Sequence, residues 1–484
     1  MGRGSGRKGP GGRVLKNRRL FKNRLIVVSN REPYSLKKGR SEKSVGGLVS
    51  ALDPVMRASK GVWVASTPAG RGVKDRRIMV PLDDPSYTMR LVPVTRRDMD
   101  DYYHGYSNRL LWPLCHITLD KIFLKQSYWE GYKKVNSLFA DAVVEEAQRK
   151  GVFVWLQDYH LALCARYVRE RRPDLKLSLF WHIPWPPYDV FRACPQKREI
   201  LEGMLANDLI GFQIESFKRN FMRCVDMELG AGIDVKEGFI HWRGHSTRVR
   251  AFPISVDYEW FENAARSKRA ERFARRFMRE RNLSGRIMGL SVDRLDYTKG
   301  IIKCIEALDA FFEKYPEYRE RFTFVQVAVP TRKAEPYLSY MEQVRSKVRY
   351  LNEKYSTRGW RPVEYMEKRL GHEDLAALYR AADIVVITSV YDGMNLVAKE
   401  YVASQVDLKG ILLVSEFAGA AEDVPGSIHI NPYDTEGCAD VIRNAIETEP
   451  ETKRDLLKVA REYIKEYDIY RWVEGILEEM KEIR

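Results

Sequence analysis

The feature that most constrains the fold is a repeated alternation. Short runs of β-branched and aliphatic residues are separated by longer stretches with helical periodicity. From Arg24 onward the strand-like runs are Leu25–Ser29, Phe153–Gln157, Leu177–Trp181, Leu209–Phe212 and Val249–Pro253. A second set comprises Ile287–Val292, Phe322–Val327, Ile384–Thr388 and Ile411–Ser415, with amphipathic stretches such as Ser137–Lys150, Leu161–Arg171 and Ile301–Lys314 between runs. Such alternation predicts an α/β protein with parallel sheets. Two sets predict two doubly wound domains with a break near Pro253 to Tyr258. The expected division is a basic tail over 1–23, an N-terminal domain over 24–256 and a C-terminal domain over 257–469. A terminal helix over 470–484, periodic through Trp472, Ile476 and Met480, could pack on either domain, including back on the N-terminal one. No repeat of 20–50 residues is visible, which disfavours solenoids and propellers.

Composition then excludes whole classes. At 44% hydrophobic and 11% aromatic, the 484 residues can build a packed core, so a wholly disordered chain is ruled out. No stretch approaches the roughly 18 apolar residues of a membrane-spanning helix, and the N-terminus has no apolar signal core. The expectation is a soluble, cytoplasmic protein with no membrane partner. Six scattered cysteines with no C-x-x-C predict reduced thiols and no metal site. Of the net charge of +16, nine positive charges fall in residues 1–24, which contain no acid. The remaining excess is modest, and that tail reads as a solvated extension. A nucleic-acid surface would want aromatics among its cations, and this tail has only Phe21, so no specific nucleic-acid partner is expected.

Ligands of open α/β sheets sit beyond the carboxyl ends of the strands, where helix N-termini favour anions. Polar residues follow five of the runs: Arg31 after the first, Asp158 and His160 after the second, and His182 before Pro184. Arg294 to Lys299 opens the second set, and Asp392 to Glu400 follows a later run. Arg294 and Lys299, with Gly300 behind them, form a candidate diphosphate clamp. Read alone, they are equally surface charges paired with Asp293 and Asp296. No Walker A and no G-x-G-x-x-G follows the first strand. Asp392 and Glu400 are placed about 12 Å apart, with Glu400 about two turns into a helix. That is too far for a pair of glycosidase carboxylates and suits two contacts on one long ligand. Backbone N–H groups near Asn395 and Leu396 could face a phosphate. Gly46-Gly47 is either a close-approach turn or a plain one, and Asp100-Asp101 reads as a helix or turn feature.

Together these stretches resemble the trehalose-6-phosphate synthase family, retaining glycosyltransferases of the GT-B fold. The resemblance runs from Val28-Ser-Asn-Arg31 and Gly46-Gly-Leu48 through Tyr102-Tyr103, Leu111-Trp112-Pro113, Asp158-Tyr-His-Leu161, His182-Ile-Pro184 and Asp208-Leu-Ile-Gly-Phe-Gln213. It continues through Arg294-Leu-Asp-Tyr297, Lys299-Gly300, Asp392-Gly-Met-Asn-Leu-Val-Ala-Lys-Glu-Tyr401, Ser415-Glu-Phe-Ala-Gly-Ala420 and Asn431-Pro-Tyr433. It implies two Rossmann-like domains facing a central crevice. It further implies transfer of α-glucose from UDP-glucose, or from ADP- or GDP-glucose, to glucose 6-phosphate, giving α,α-trehalose 6-phosphate. By position it implies catalytic roles for Asp158, His182, Arg294 and Lys299. Donor contacts would come from Gly46, Gly47, Arg294, Lys299, Leu370, Asp392, Gly393, Met394, Asn395, Leu396, Val397, Ala398, Lys399 and Glu400. Acceptor contacts would come from Arg31, Tyr103, Trp112, Asp158 and Arg332. No cofactor and no metal are implied, and a homo-oligomer is compatible with the reading. The chain departs from the family pattern at Trp185-Pro-Pro-Tyr188 and Pro253-Ile-Ser255-Val, segments expected near the crevice. The alternatives are a related transferase with another phosphorylated acceptor, such as glycerol 3-phosphate, and a silent sugar-phosphate-binding regulator.

Overall fold

Strand order explains where ligands can go. The computed structural model of the chain describes residues 24–37, 40–44, 47–70, 76–332 and 334–483. Gly46 and the tail over 1–23 lie outside the described residues. The described residues form two units. The first runs up to Ile254 and takes in Tyr391–Met394 and the described residues from Arg471. The second holds Ser255–Val390 and Asn395–Tyr470.

The first unit is built on β1 (Leu25–Ser29), β2 (Tyr34–Lys37), β3 (Arg40–Lys43), β4 (Val62–Pro68), β5 (Arg77–Val80) and β6 (Tyr87–Val94). It continues with β7 (Phe153–Gln157), β8 (Lys176–Phe180), β9 (Leu209–Phe212), β10 (Gly232–Asp234), β11 (Phe239–Trp242) and β12 (His245–Ala251). β2 and β3 make a separate hairpin, and the other ten share one sheet in the order β10-β11-β12-β9-β8-β7-β1-β4-β6-β5. From β12 to β6 every neighbour is parallel, and β5, β10 and β11 add antiparallel edges. All residues of β1, β7 and β9 are buried, as expected of strands covered on both faces. The helix Ile469–Glu482 packs into this unit through Trp472. Its indole N–H donates to the Phe252 carbonyl at 3.1 Å, and its ring lies 5.3 Å from Trp155 and 5.0 Å from Phe180.

The second unit has β13 (Ile287–Arg294), β14 (Phe322–Val329), β15 (Val363–Met366), β16 (Ile384–Ile387), β17 (Ile411–Ser415) and β18 (Ile428–Ile430). They form a parallel sheet ordered β15-β14-β13-β16-β17-β18. Counted within the unit, this is 3-2-1-4-5-6, the Rossmann order, with its topological switch point between β13 and β16. The first unit shows the same reversal between β1 and β7.

Periodicity located the strands at the centre of both sheets but missed β4 and β6, which carry Thr67, Pro68, Arg90 and Pro93 among their apolar residues. It also missed the short strands β15 and β18. The helix expected from Ser137 starts earlier, at Gln126, and ends at Glu146. Asp100 and Asp101 open a wide π-type helix, Asp100–Leu111, closed by a bond from the Trp112 N–H to the Ser107 carbonyl. All six cysteines are buried and free of disulfides. Among the described residues no helix is long and apolar enough to cross a membrane.

One buried ion pair fixes the helix that follows β16, Leu396–Ser404. Lys399 Nζ meets Asp423 Oδ2 at 2.5 Å, both side chains being 2% exposed or less, and the Tyr463 hydroxyl donates to Asp423 Oδ1 at 2.8 Å. Burial lowers the Lys399 pKa while Asp423 opposes that shift. Removing one partner strands a buried charge, which costs about 3–5 kcal/mol, whereas replacing both by apolar groups is often near neutral. Lys399→Met is therefore expected to lower the thermal midpoint markedly, and adding Asp423→Leu to recover most of the loss. A double variant no more stable than the single one would contradict this.

Candidate active site

At the switch point of the second unit the backbone is forced together. Gly300 has φ +65°, and a Cβ there would lie 1.8 Å from the Thr388 carbonyl oxygen. The Thr388 hydroxyl donates to the Gly300 carbonyl at 3.0 Å, and the Val390 N–H donates to the Thr298 carbonyl at 2.9 Å. Only glycine fits, on both conformation and space. The loops after β13 and β16 are thus tied into one surface at the carboxyl edge of the sheet.

That surface gathers cations around one carboxylate. Asp296 is fully buried and accepts from the Thr298 main-chain N–H and hydroxyl at 3.2 and 3.1 Å. Arg294 Nη2 lies 3.7 Å and Arg332 Nη1 3.4 Å from Asp296 Oδ2. The pairing with Asp296 left open by the sequence is therefore real, and it holds Arg294 rather than consuming it, since the Arg294 side chain stays 37% exposed. Arg332, on the loop after β14, also bonds the Tyr337 hydroxyl and lies 4.7 Å from that ring's centroid. Three cations (Arg294, Lys299 and Arg332) against one carboxylate leave a local excess of positive charge suited to phosphate.

Asn395, with φ +81° and ψ 87°, caps the helix Leu396–Ser404 without a side-chain cap bond. A non-glycine residue there costs about 1–3 kcal/mol and is typical of functional sites. The N–H groups of Leu396, Val397 and Ala398 start the helix and have no partner within it. Lys399 and Glu400 correct the sequence reading. The Lys399 side chain is committed to Asp423, and as the fourth helical residue its N–H falls inside the helical ladder. Glu400 stands little more than one turn into the helix, not two. It is half-buried and accepts from the Tyr379 hydroxyl at 2.9 Å. Burial pushes its pKa up to about 7 against the lowering effect of that bond. Leu370 lies on the loop beyond β15.

The first unit repeats the logic at its own switch point. Arg31 follows β1, and its Nη2 donates to the Tyr103 hydroxyl at 2.8 Å. Tyr103, on the π-type helix, stacks on His160 with ring centroids 5.5 Å apart. Trp112 ends that helix, 5% exposed, 4.0 Å from the His116 ring and 5.9 Å from Tyr159. Asp158 follows β7 with φ +73° and ψ 171°, a conformation otherwise confined to glycine. Its Oδ1 accepts from the Tyr159 and His182 main-chain N–H groups at 3.0 and 3.1 Å, so Asp158 and His182 are joined directly. The His182 ring sits 2.9 Å from Gln157 Oε1 and 3.5 Å from Gln213 Nε2. Burial pushes its pKa down to about 3, so it is neutral at physiological pH. With Nε2 donating to Gln157, the ring presents a fixed dipole and no titrating proton.

Within the same unit Gly393 packs on this segment, and a Cβ there would lie 2.1 Å from the His182 carbonyl oxygen. Asp392 and Met394 beside it are buried. Gly47 opens the helix Gly47–Ser59. Trp185 is fully buried against Trp181, Phe191 and Phe221, so that departure from the family pattern is a core substitution and not a site residue. His241 and His245, four apart, lie on the β11–β12 hairpin, bonded to Ser246 and to the Asn207 carbonyl.

Sequence reasoning missed Gln157, Gln213, Asp296 as a hub, and Tyr379. The signal was available for three of them: a polar residue ending or immediately following a buried strand.

Residues 20–482 match the family described as Glycosyltransferase family 20. The chain belongs to that family. It is 34% identical over 473 residues to a trehalose-6-phosphate synthase of Mycobacterium sp. (strain KMS), covering 95% of both chains. Among solved structures it is similar to an alpha,alpha-trehalose-phosphate synthase (UDP-forming) from Burkholderia xenovorans in complex with glucose-6-phosphate. The TM-score is 0.87 and the identity 29%, over 95% of this chain and all of that one. A structure from E. coli, described as bound with UDP-2-fluoro glucose, matches with TM-score 0.87 and 29% identity over 96% of this chain and all of that one. The family-20 chain is thus a glycosyltransferase with a GT-B type α/β fold.

Gly300→Ala tests the forced contact. The added methyl demands both a left-handed backbone and displacement of the Thr388 carbonyl. The expected loss is at least about 2 kcal/mol of stability, with kcat/KM down by at least about 10²-fold. Near-native stability and turnover would show that the two loops are not locked together.

Proposed function

We propose that the protein transfers α-glucose from UDP-glucose to glucose 6-phosphate with retention, giving α,α-trehalose 6-phosphate. The observation that carries this is the cation cluster on Asp296 at the Rossmann switch point, beside an uncapped helix N-terminus. The names and bound ligands of the relatives support the choice of donor and acceptor. In this reading Arg294 and Lys299 hold the donor diphosphate together with the N–H groups of Leu396 to Ala398, and Asp392 and Gly393 take the glucosyl hydroxyls. Glu400 accepts from the ribose diol, and Gly46, Gly47 and Leu370 complete the donor contacts. Arg31 and Arg332 take the acceptor phosphate, with Tyr103, Trp112 and Asp158 around its sugar.

The chemistry follows from what the residues can and cannot do. His182 is neutral and Asp158 is held by two N–H groups, so neither is poised as a proton donor near pH 7. Catalysis then rests on positioning and on stabilising the departing UDP by Arg294, Lys299 and the helix N-terminus. The leaving diphosphate itself accepts the proton of the acceptor hydroxyl, and no covalent sugar–enzyme bond forms.

Three measurements follow. Arg294→Ala and Lys299→Ala should each lower kcat/KM at least about 10²-fold, equivalent to about 2.7 kcal/mol; near-wild-type turnover would remove the clamp. Glucose 6-phosphate should be used at least about 10³-fold better than glucose, roughly 4 kcal/mol. Arg31→Ala or Arg332→Ala should erase most of that preference. If glycerol 3-phosphate is strongly preferred, the phosphate clamp stands and the trehalose assignment falls. Finally, the Glu400 pKa near 7 sets a sign. Below that pH its carboxyl is protonated and accepts poorly from a diol; above it the carboxylate accepts well. UDP-glucose does not itself titrate in this range, so its affinity should rise between pH 6 and 8. Glu400→Gln should flatten the rise, and an unchanged slope in that variant would separate Glu400 from the donor.

A further inference from the structure

The first unit carries a second concentration of arginines at the opposite edge of its sheet. Arg24 immediately precedes β1, whose other end leads to Arg31. A cavity of about 330 Å³ lies near it, lined by Arg76, Arg77, Arg90, Glu145 and Glu146. Arg77 and Arg90 face each other in the antiparallel register of β5 and β6. Glu145 and Glu146 end the helix Gln126–Glu146.

The groups are built in, not scattered on a surface. The Arg90 side chain is 9% exposed and that of Glu146 only 2%. Arg90 bonds Glu145 and donates to the Leu91 carbonyl at 3.0 Å. Glu146 is ringed at longer range, by Arg77 at 3.4 Å, Arg90 at 3.7 Å and Arg24 at 3.8 Å. Its Oε2 is buried and accepts no hydrogen bond among the described residues. A buried carboxylate oxygen left without a donor costs about 1–3 kcal/mol or more. Arg76, exposed on the rim, has no side-chain partner among the described residues. Ion pairing within the cluster does not balance it. Four arginines face two glutamates, and the helix C-terminus adds only about half a negative charge.

We propose that this pocket binds a phosphate monoester of a small polyol, a regulatory site separate from the reaction. The excess positive charge matches a dianion, with Arg76 and Arg77 as its guanidinium forks. A ligand hydroxyl donates to Glu146 Oε2 and satisfies the buried acceptor. The volume lies at the small end of ligand pockets, which suits a sugar phosphate and excludes a nucleotide sugar.

The test is equilibrium dialysis of radiolabelled glucose 6-phosphate against the full chain and against Arg76→Ala/Arg77→Ala. Whatever the catalytic site takes up, the variant should bind one equivalent fewer per chain while its transferase activity without added effector stays within about twofold. Equal stoichiometry in the two proteins would overturn the proposal. Should the double variant fail to fold, Arg76→Gln, which breaks no contact among the described residues, should still weaken that one equivalent at least tenfold. Unchanged affinity there would equally overturn the site. Inorganic phosphate should compete for this equivalent at least tenfold less well than sorbitol 6-phosphate. Equal competition would remove Glu146 from the recognition.

Discussion

Everything at the candidate donor site depends on the approach of Gly300 to the Thr388 carbonyl. Parallel strands β13 and β16 are neighbours, but their following segments leave on opposite sides, as in any doubly wound sheet. The gap they leave is the ligand site only if the two loops hold a fixed spacing. Glycine at 300 removes the side chain that would separate them, and the Thr388–Gly300 and Val390–Thr298 bonds close the seam. Arg294, Asp296 and Lys299 on one loop and Asn395 at the end of the other inherit their positions from this contact.

The first unit reaches a comparable end by strain instead of by a missing side chain. Asp158 adopts a glycine-like backbone and is repaid by two N–H bonds to its carboxylate, one of them from His182. In both units a carboxylate acts as a local organiser. Asp296 orients guanidinium groups, and Asp158 ties two strand ends together. Neither arrangement provides a proton relay at neutral pH, and that is why the reaction is argued through charge placement.

The strand cores and the polar ends that follow them were legible because buried parallel strands are short, apolar and β-branched. Arg31, Asp158, Arg294 and Asp392 stood out as charges at the ends of such runs. What stayed hidden depended on packing. That Lys399 would turn into a buried pair with Asp423, and that Asp296 would join Arg294 to Arg332, involves residues up to 36 apart that no periodicity connects. β4 and β6 were obscured by polar and proline residues that the sheet tolerates near its edge. The π-type winding of Asp100–Leu111 has no sequence signature that distinguishes it from an ordinary helix.

The central claim is a retaining transfer between two sugars held by positioned cations. Its most direct measurement is proton NMR of the product formed from UDP-glucose and glucose 6-phosphate by the purified chain. The account predicts two anomeric protons with the small couplings of an α,α-1,1 linkage, one on a 6-phosphorylated ring, and equimolar release of UDP. A β-configured donor carbon, or UDP release with free glucose and no disaccharide, would contradict it.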